Sequence, residues 1–271
     1  MLFINKKLRT VLIALIIVFL LATCFCGYKI FGILRQYYAD RSSYNELSTA
    51  YAKKNDQQVP VAPQAEPDDE EKPVFRLNET SPLAIDFDTL QADVNREIVA
   101  WLYCEGTKPE INYPVVHHTD DFYYLNHNAK GEATAAGAIF VGASNFSNFS
   151  DVNTIVHGHH LYDGSMFGNL GKWGEQEFFD EHRYFYLNTP DGNYKVEMIA
   201  YFVTPEGSRA YEIDFVNEKD IQDWVDWVQE QSSVQSDYEY TDGDQFLTLS
   251  TCQYTFTNAR GVLIGHMIPI L

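Results

Sequence analysis

Nineteen consecutive residues without a charge, Thr10 to Tyr28 (TVLIALIIVFLLATCFCGY), set the first limit on what this chain can become. Wound into a helix, the run reaches about 28 Å, close to the thickness of a bilayer's hydrocarbon core. Lys6, Lys7 and Arg9 stand just before it, and the positive-inside rule then keeps the N-terminus cytoplasmic. No A-x-A cleavage site follows the run, so an uncleaved single-pass anchor is expected rather than a signal peptide. The organisation that follows is a cytoplasmic end over 1–9, a membrane anchor over 10–34 and a juxtamembrane segment with spacer over 35–72. A folded domain over 73–271 would then lie outside the cell. Residues 35–52 suit a polar continuation of the helix. KKNDQQVPVAPQAEPDDEE (Lys53–Glu71) is rich in Pro, Gln and acid and nearly devoid of large apolar residues, as a flexible spacer is.

Charge narrows the partners. Residues 1–34 hold four cations and no acid, leaving 15 cations against 38 acids in the remainder. Phosphate binding needs a basic footprint, so nucleic acid is not an expected partner. Charge alone does not draw such a surface to anionic lipid either. Four cysteines are present: Cys24 and Cys26 in the apolar run, and Cys104 and Cys252 far apart beyond it. There is no C-x-x-C pair, and so no sign of a cysteine-type structural zinc site.

Within the domain, IDFDTLQADVNREIVAWLYC puts Leu90, Val94, Ile98 and Trp101 at helical spacing, with Asp86 or Asp88 available as a cap. Short alternating or apolar runs follow: INYPVVH, GAIFVGA, NTIVHGH, YFYLNT, NYKVEMIAYFVT, QFLTLSTC and GVLIGHMIPI. Gly, Asn, Asp and Pro separate them, the pattern of a mainly β barrel or sandwich. One helix interrupts them, where Ile221, Trp224, Val225 and Val228 share a face.

The last two runs carry the chemistry. In FLTLSTC, Leu247, Leu249 and Thr251 point one way and Thr248, Ser250 and Cys252 the other. QYTFTNA reads as the loop, and ARGVLIGHMI as the returning strand. A hairpin sets the end of one strand beside the start of the next, so Cys252 and Arg260 are expected to be neighbours. A cation there stabilises negative charge on sulfur or on a substrate oxygen. Alone, a strand cysteine is more often a small buried hydrophobe and an arginine a solvated surface residue. The pairing is what raises both above that reading.

A cysteine nucleophile also needs a proton donor for its leaving group, usually histidine. NTIVHGHH ends an apolar run with three histidines, and residue types alone leave His157 and His159 both open. A metallohydrolase of the H-x-H-x-D-H type would need Asp at 161 and His at 162, where this chain has Leu161 and Tyr162. A phosphatase loop spaces its Cys and Arg by about five residues, fewer than lie between Cys252 and Arg260. Cys104, with no His or Arg close by, reads as structural.

TLSTC with its downstream Arg260, the earlier NTIVHGHH–LYDGSMFGNL segment, and INYPVVHHTDDFYYLNH and AGAIFVG in order resemble a class B sortase, a membrane-anchored cysteine transpeptidase of Gram-positive bacteria. The resemblance covers roughly residues 85–271. It implies a closed β-barrel of about eight strands with helices before it and one helix inserted between late strands. It also implies an active site of Cys252, Arg260 and, after the glycine of the histidine segment, His159. His157 stands where the family commonly has Tyr, and His160 where Asn is common. Ser250, Thr251 and His157 are expected to line the substrate groove. The implied partners are surface proteins with a C-terminal sorting signal, cleaved after Thr, and an amine acceptor on peptidoglycan precursor or a pilin lysine. Arg260, with a backbone N–H near Gln253, is expected to hold the oxyanion. No metal or cofactor is implied. A hydrolysing cysteine peptidase and a catalytically inert surface binding module are the competing readings. The first differs in releasing acid rather than transferring to amine, the second in an unreactive Cys252.

Overall fold

A computed structural model describes residues 6–55, 77 and 79–271. Most of the acidic Pro- and Gln-rich spacer, and residues 1–5 of the expected cytoplasmic end, lie outside the described residues. The first element, α1 (Lys6–Tyr51), is a single helix of 46 residues. It is long and apolar enough to cross a membrane. Phe19 and Leu21 are 71% and 65% exposed on it, surface that suits a hydrocarbon surrounding and not water.

The chain separates into two compact units, Met1–Ser43 and Tyr44–Leu271. The sequence reading starts the folded domain at residue 73. The compact unit Tyr44–Leu271 includes the last turns of α1, where Tyr44 and Leu47 are buried. After α1, β1 (Ala52–Lys54) pairs antiparallel with β2 (Leu83–Ile85).

The short helix α2 (Phe87–Asp93) opens on Asp86, whose carboxylate accepts the Thr89 amide at 3.1 Å, an N-cap that satisfies one of the helix's free donors. The helical spacing read through Ile98 and Trp101 does not hold. The helix ends at Asp93, and β3 (Ile98–Cys104) is a strand with all but one residue buried. A strand buried on both faces shows no alternation, so its apolar residues fit a 3.6 period by chance.

Next come β4 (Ile111–His117), β5 (Ile139–Val141), β6 (Asn153–His157), a short helix α3 (Gln176–Glu181), β7 (Tyr184–Thr189) and β8 (Gly192–Pro205). Helix α4 (Glu218–Gln231), β9 (Gln245–Cys252) and β10 (Ala259–Ile270) complete the chain. The seven runs read as strands are strands. With β3 they close a barrel in the order β10–β8–β7–β3–β4–β5–β6–β9. The fold is therefore mainly β, an eight-stranded closed barrel with helices before it and α4 between late strands. Closure leaves the barrel itself no sheet edge to cap.

Helix α4 begins at Asn217, whose side chain accepts the Asp220 amide at 3.2 Å. Its face of Ile221, Trp224, Val225 and Val228 packs with Phe202, Phe246, Val262 and Ile264 from β8, β9 and β10. Trp224 is fully buried, and its Nε1–H donates to the Arg209 carbonyl at 2.8 Å, so the indole takes no unpaired donor inside. That packing stiffens the wall whose rim carries the site.

Candidate active site

Strand pairing places two of the three side chains that the resemblance singles out. Arg260 is directly opposite Cys252 across the β9–β10 pair. Directly opposed residues share a face with Cβ atoms about 5 Å apart. Gln253 N–H donates to Ala259 O at 2.9 Å and closes the hairpin, while Asn258 turns it at φ 59°. The Gln253 N–H itself is therefore engaged in the hairpin, and a second oxyanion donor in this stretch would have to be a neighbouring backbone N–H.

The histidines arrive from the other side of β9. Strand β6 runs parallel to it with His157 opposite Ser250, and Gly158 N–H continues the ladder to Ser250 O at 3.0 Å. Glycine is needed at 158, because a Cβ there would sit 2.5 Å from Ile139 Cδ1 and 2.6 Å from Phe167 Cδ2. The chain then leaves the sheet and presents His159. Its Nε2–H donates to the Leu125 carbonyl at 2.6 Å. A carbonyl only accepts, so the Nε2 proton is fixed and Nδ1 is the nitrogen left to exchange protons.

Cys252, His159 and Arg260 line one cleft of about 380 Å³, together with His157, Ser250 and Thr251. Phe122, Leu125, Phe140 and Tyr211 give it apolar walls, and Asp121 and Glu206 add acid at its margin. Arg260 donates from Nη2 to Glu206 at 3.2 Å and from Nη1 to its neighbour Ala259 O at 3.3 Å. Ser250 and Tyr211 share a hydroxyl–hydroxyl bond of 2.8 Å. Thr251 is buried, its hydroxyl without a hydrogen-bond partner.

His157 and His160 differ from His159. His157 packs 5.2 Å from the Phe140 ring and stacks at 6.3 Å on Tyr211. Burial pushes its imidazole down to about 4, Asp121 opposing and Arg260 adding to the shift. It is therefore neutral where most enzymes work. His160 meets Tyr254 edge-on at 5.4 Å, and burial also lowers its pKa, against an opposing contact with the Cys252 backbone. Cys104 is 1% exposed, and burial, with Glu110 and Glu105 behind it, pushes its thiol up.

The depressed pKa of His157 has a measurable consequence. Below the ordinary value of 6.5 the unfolded chain binds this proton, while the folded chain resists until about 4. The contribution of His157 to stability is thus complete above pH 6.5 and is lost as pH falls towards 4. A His157→Phe chain should show a flatter fall in urea midpoint across that interval. An identical fall in both chains would place the proton uptake elsewhere.

Several groups around the site carry no sequence signal. Leu125 is 34 residues from His159 and offers only its backbone. Glu206 is 54 residues from Arg260, in a Pro-Glu-Gly turn that marks a loop and not its destination. Among the described residues no three His, Cys, Asp or Glu side chains gather as a metal set.

Comparison with known proteins adds four findings. The sortase domain family model matches residues 107–268. Sortase B of Listeria monocytogenes is 35% identical over 177 residues, which is 65% of this chain and 71% of that protein. Sortase B from Bacillus anthracis is 32% identical with a TM-score of 0.70, covering 88% of this chain and all of that structure. A sortase B complexed with triglycine is 31% identical with a TM-score of 0.63, over 68% of this chain and 85% of that one.

Proposed function

This chain belongs to the sortase family as a class B cysteine transpeptidase, and on that premise we propose that it cleaves a C-terminal sorting signal after threonine and passes the new acyl end to an amine. The catalytic groups are Cys252, His159 and Arg260. Cys252 sulfur attacks the threonine carbonyl carbon. The oxygen takes the displaced electron pair and rests against the Arg260 guanidinium. The C–N bond breaks as protonated His159 gives the Nδ1 proton to the leaving amine. This leaves a thioester on Cys252. An incoming amine then attacks that carbon, His159 Nδ1 takes its proton, and the C–S bond breaks to return the thiolate.

The observation that carries this reading is the Cys252–Arg260 register, with His159 lining the same cleft. The acceptor class is a primary amine, from peptidoglycan precursor or a pilin lysine. Triglycine, held by a related sortase B, offers such an amine. Ser250, Thr251 and His157 form the substrate-side lining, with His157 as an uncharged surface. Lys6, Lys7 and Arg9, just before the apolar run of α1, support a cytoplasmic N-terminus and a catalytic domain outside the membrane.

The test uses the full chain in detergent micelles, a panel of threonine-containing sorting peptides and an added amine, with products read by mass. Acyl transfer to the amine is expected. Release of free acid alone, unchanged by amine, would make the chain a peptidase and sink the transfer step.

A further inference from the structure

The His159 ring has a bare backbone behind it. Gly137, at φ 61°, is so close that a Cβ there would lie 2.8 Å from His159 Cδ2 and 2.6 Å from the Tyr124 carbonyl oxygen. Only glycine takes both that dihedral and that approach without strain. The same short loop pairing, Ala138 N–H to Tyr124 O at 3.0 Å, holds the neighbouring Leu125, whose carbonyl accepts from His159. His159 is thus fixed on two sides by backbone, and the support of that backbone matters.

The support comes from the end of the first helix. Tyr44, 4% exposed, donates its hydroxyl to the Gly137 carbonyl at 2.7 Å and accepts the Ala129 amide at 3.3 Å. Its ring stands edge-on to Tyr113 at 5.5 Å. One turn further on, Ser48 accepts from Asn112 Nδ2 at 2.8 Å, and Asn112 in turn accepts from Trp101 Nε1 at 2.7 Å. The helix end is therefore stitched to the barrel, and Tyr44 reaches the Gly137 peptide beside His159.

From this geometry we infer that Tyr44 is a positioning residue for the transfer reaction, acting through the Gly137 carbonyl to hold the backbone on which His159 rests. The inference rests on His159 being the proton donor of the proposed function. It gives the juxtamembrane helix, 93 residues before Gly137, a part in the reaction as well as in tethering. Removing the hydroxyl frees the Gly137 peptide to tilt, and His159 then loses its aim at the leaving amine. Small misplacements of a proton donor cost about tenfold or more in rate.

The test compares wild type, Tyr44→Phe and Ser48→Ala, each as the full chain in micelles. Tyr44→Phe keeps the ring packing, and Ser48→Ala removes one hydrogen bond from the same helix end without touching Gly137. Each is given a sorting peptide with its natural amide and the same peptide as an aryl thioester. Departure of the aryl thiolate needs no proton from His159, so the burst of thiolate release reports acylation without it. For Tyr44→Phe the expected result is a fall in kcat on the amide of about tenfold or more with KM within about twofold, and an unchanged thioester burst. Ser48→Ala should track wild type on both. Equal amide kcat in wild type and Tyr44→Phe would overturn the inference. So would parallel losses on amide and thioester, or the same selective loss in Ser48→Ala. A wild type that transfers nothing to amine would fail the proposed function itself, and this inference with it.

Discussion

Cys252→Ala should abolish transfer of every sorting peptide while leaving the chain folded. Loss of a covalent nucleophile typically costs about 10⁴-fold or more in rate, because Arg260 and the cleft can still bind but nothing forms the acyl intermediate. The fold should tolerate the change. Cys252 ends β9 and is only partly buried, and its backbone pairing with Arg260 does not involve the thiol. Cys104 cannot stand in. It is buried on β3, with Sγ 3.6 Å from the Tyr184 carbonyl, and its thiol is held neutral by burial. Of the two cysteines beyond α1, a thiol reagent should therefore mark the Cys252 peptide and not the Cys104 peptide. Transfer by Cys252→Ala above about one part in a hundred of the wild-type rate would mean that another group forms the acyl bond.

What could be read from the residues alone follows from how local each feature is. Alternation in FLTLSTC and ARGVLIGHMI, with one loop between, was enough to set Cys252 beside Arg260, because a hairpin's register depends on few residues. The apolar face of α4 was equally plain, since one helix period carries it. The histidine choice was not. His157 and His159 lie two apart, and what separates them is tertiary: His157 stacks on Tyr211, and His159 reaches the Leu125 carbonyl. Ile98 and Trp101 misled because a doubly buried strand and a helix face can share the same apolar spacing. Tyr44 was invisible for the same reason as Glu206. Each meets its partner across more than 50 residues of chain, through a contact that no local pattern encodes.

Arg260→Ala should reduce kcat by about 10²–10³-fold with little change in KM. The reason is timing. In the proposed reaction, charge on the scissile carbonyl oxygen appears only as sulfur attacks, so a donor aimed at it acts on the transition state and not on the bound peptide. Arg260 is suited to this. Its side chain is 25% exposed, and of its five N–H groups one goes to Glu206 and one to Ala259 O, which leaves donors for the oxyanion. Arg260→Lys keeps the charge but loses the planar fork, so it should fall nearer to Ala than to wild type. Glu206→Gln provides the contrast. Its carboxylate is 61% exposed, and such a pair contributes at most about 1 kcal/mol, so kcat should change by no more than about fivefold. If Arg260→Ala instead raised KM at constant kcat, the guanidinium would be binding the resting substrate. Electrostatic stabilisation of the tetrahedral intermediate would then have to come from a backbone donor other than the Gln253 amide, which the hairpin already occupies.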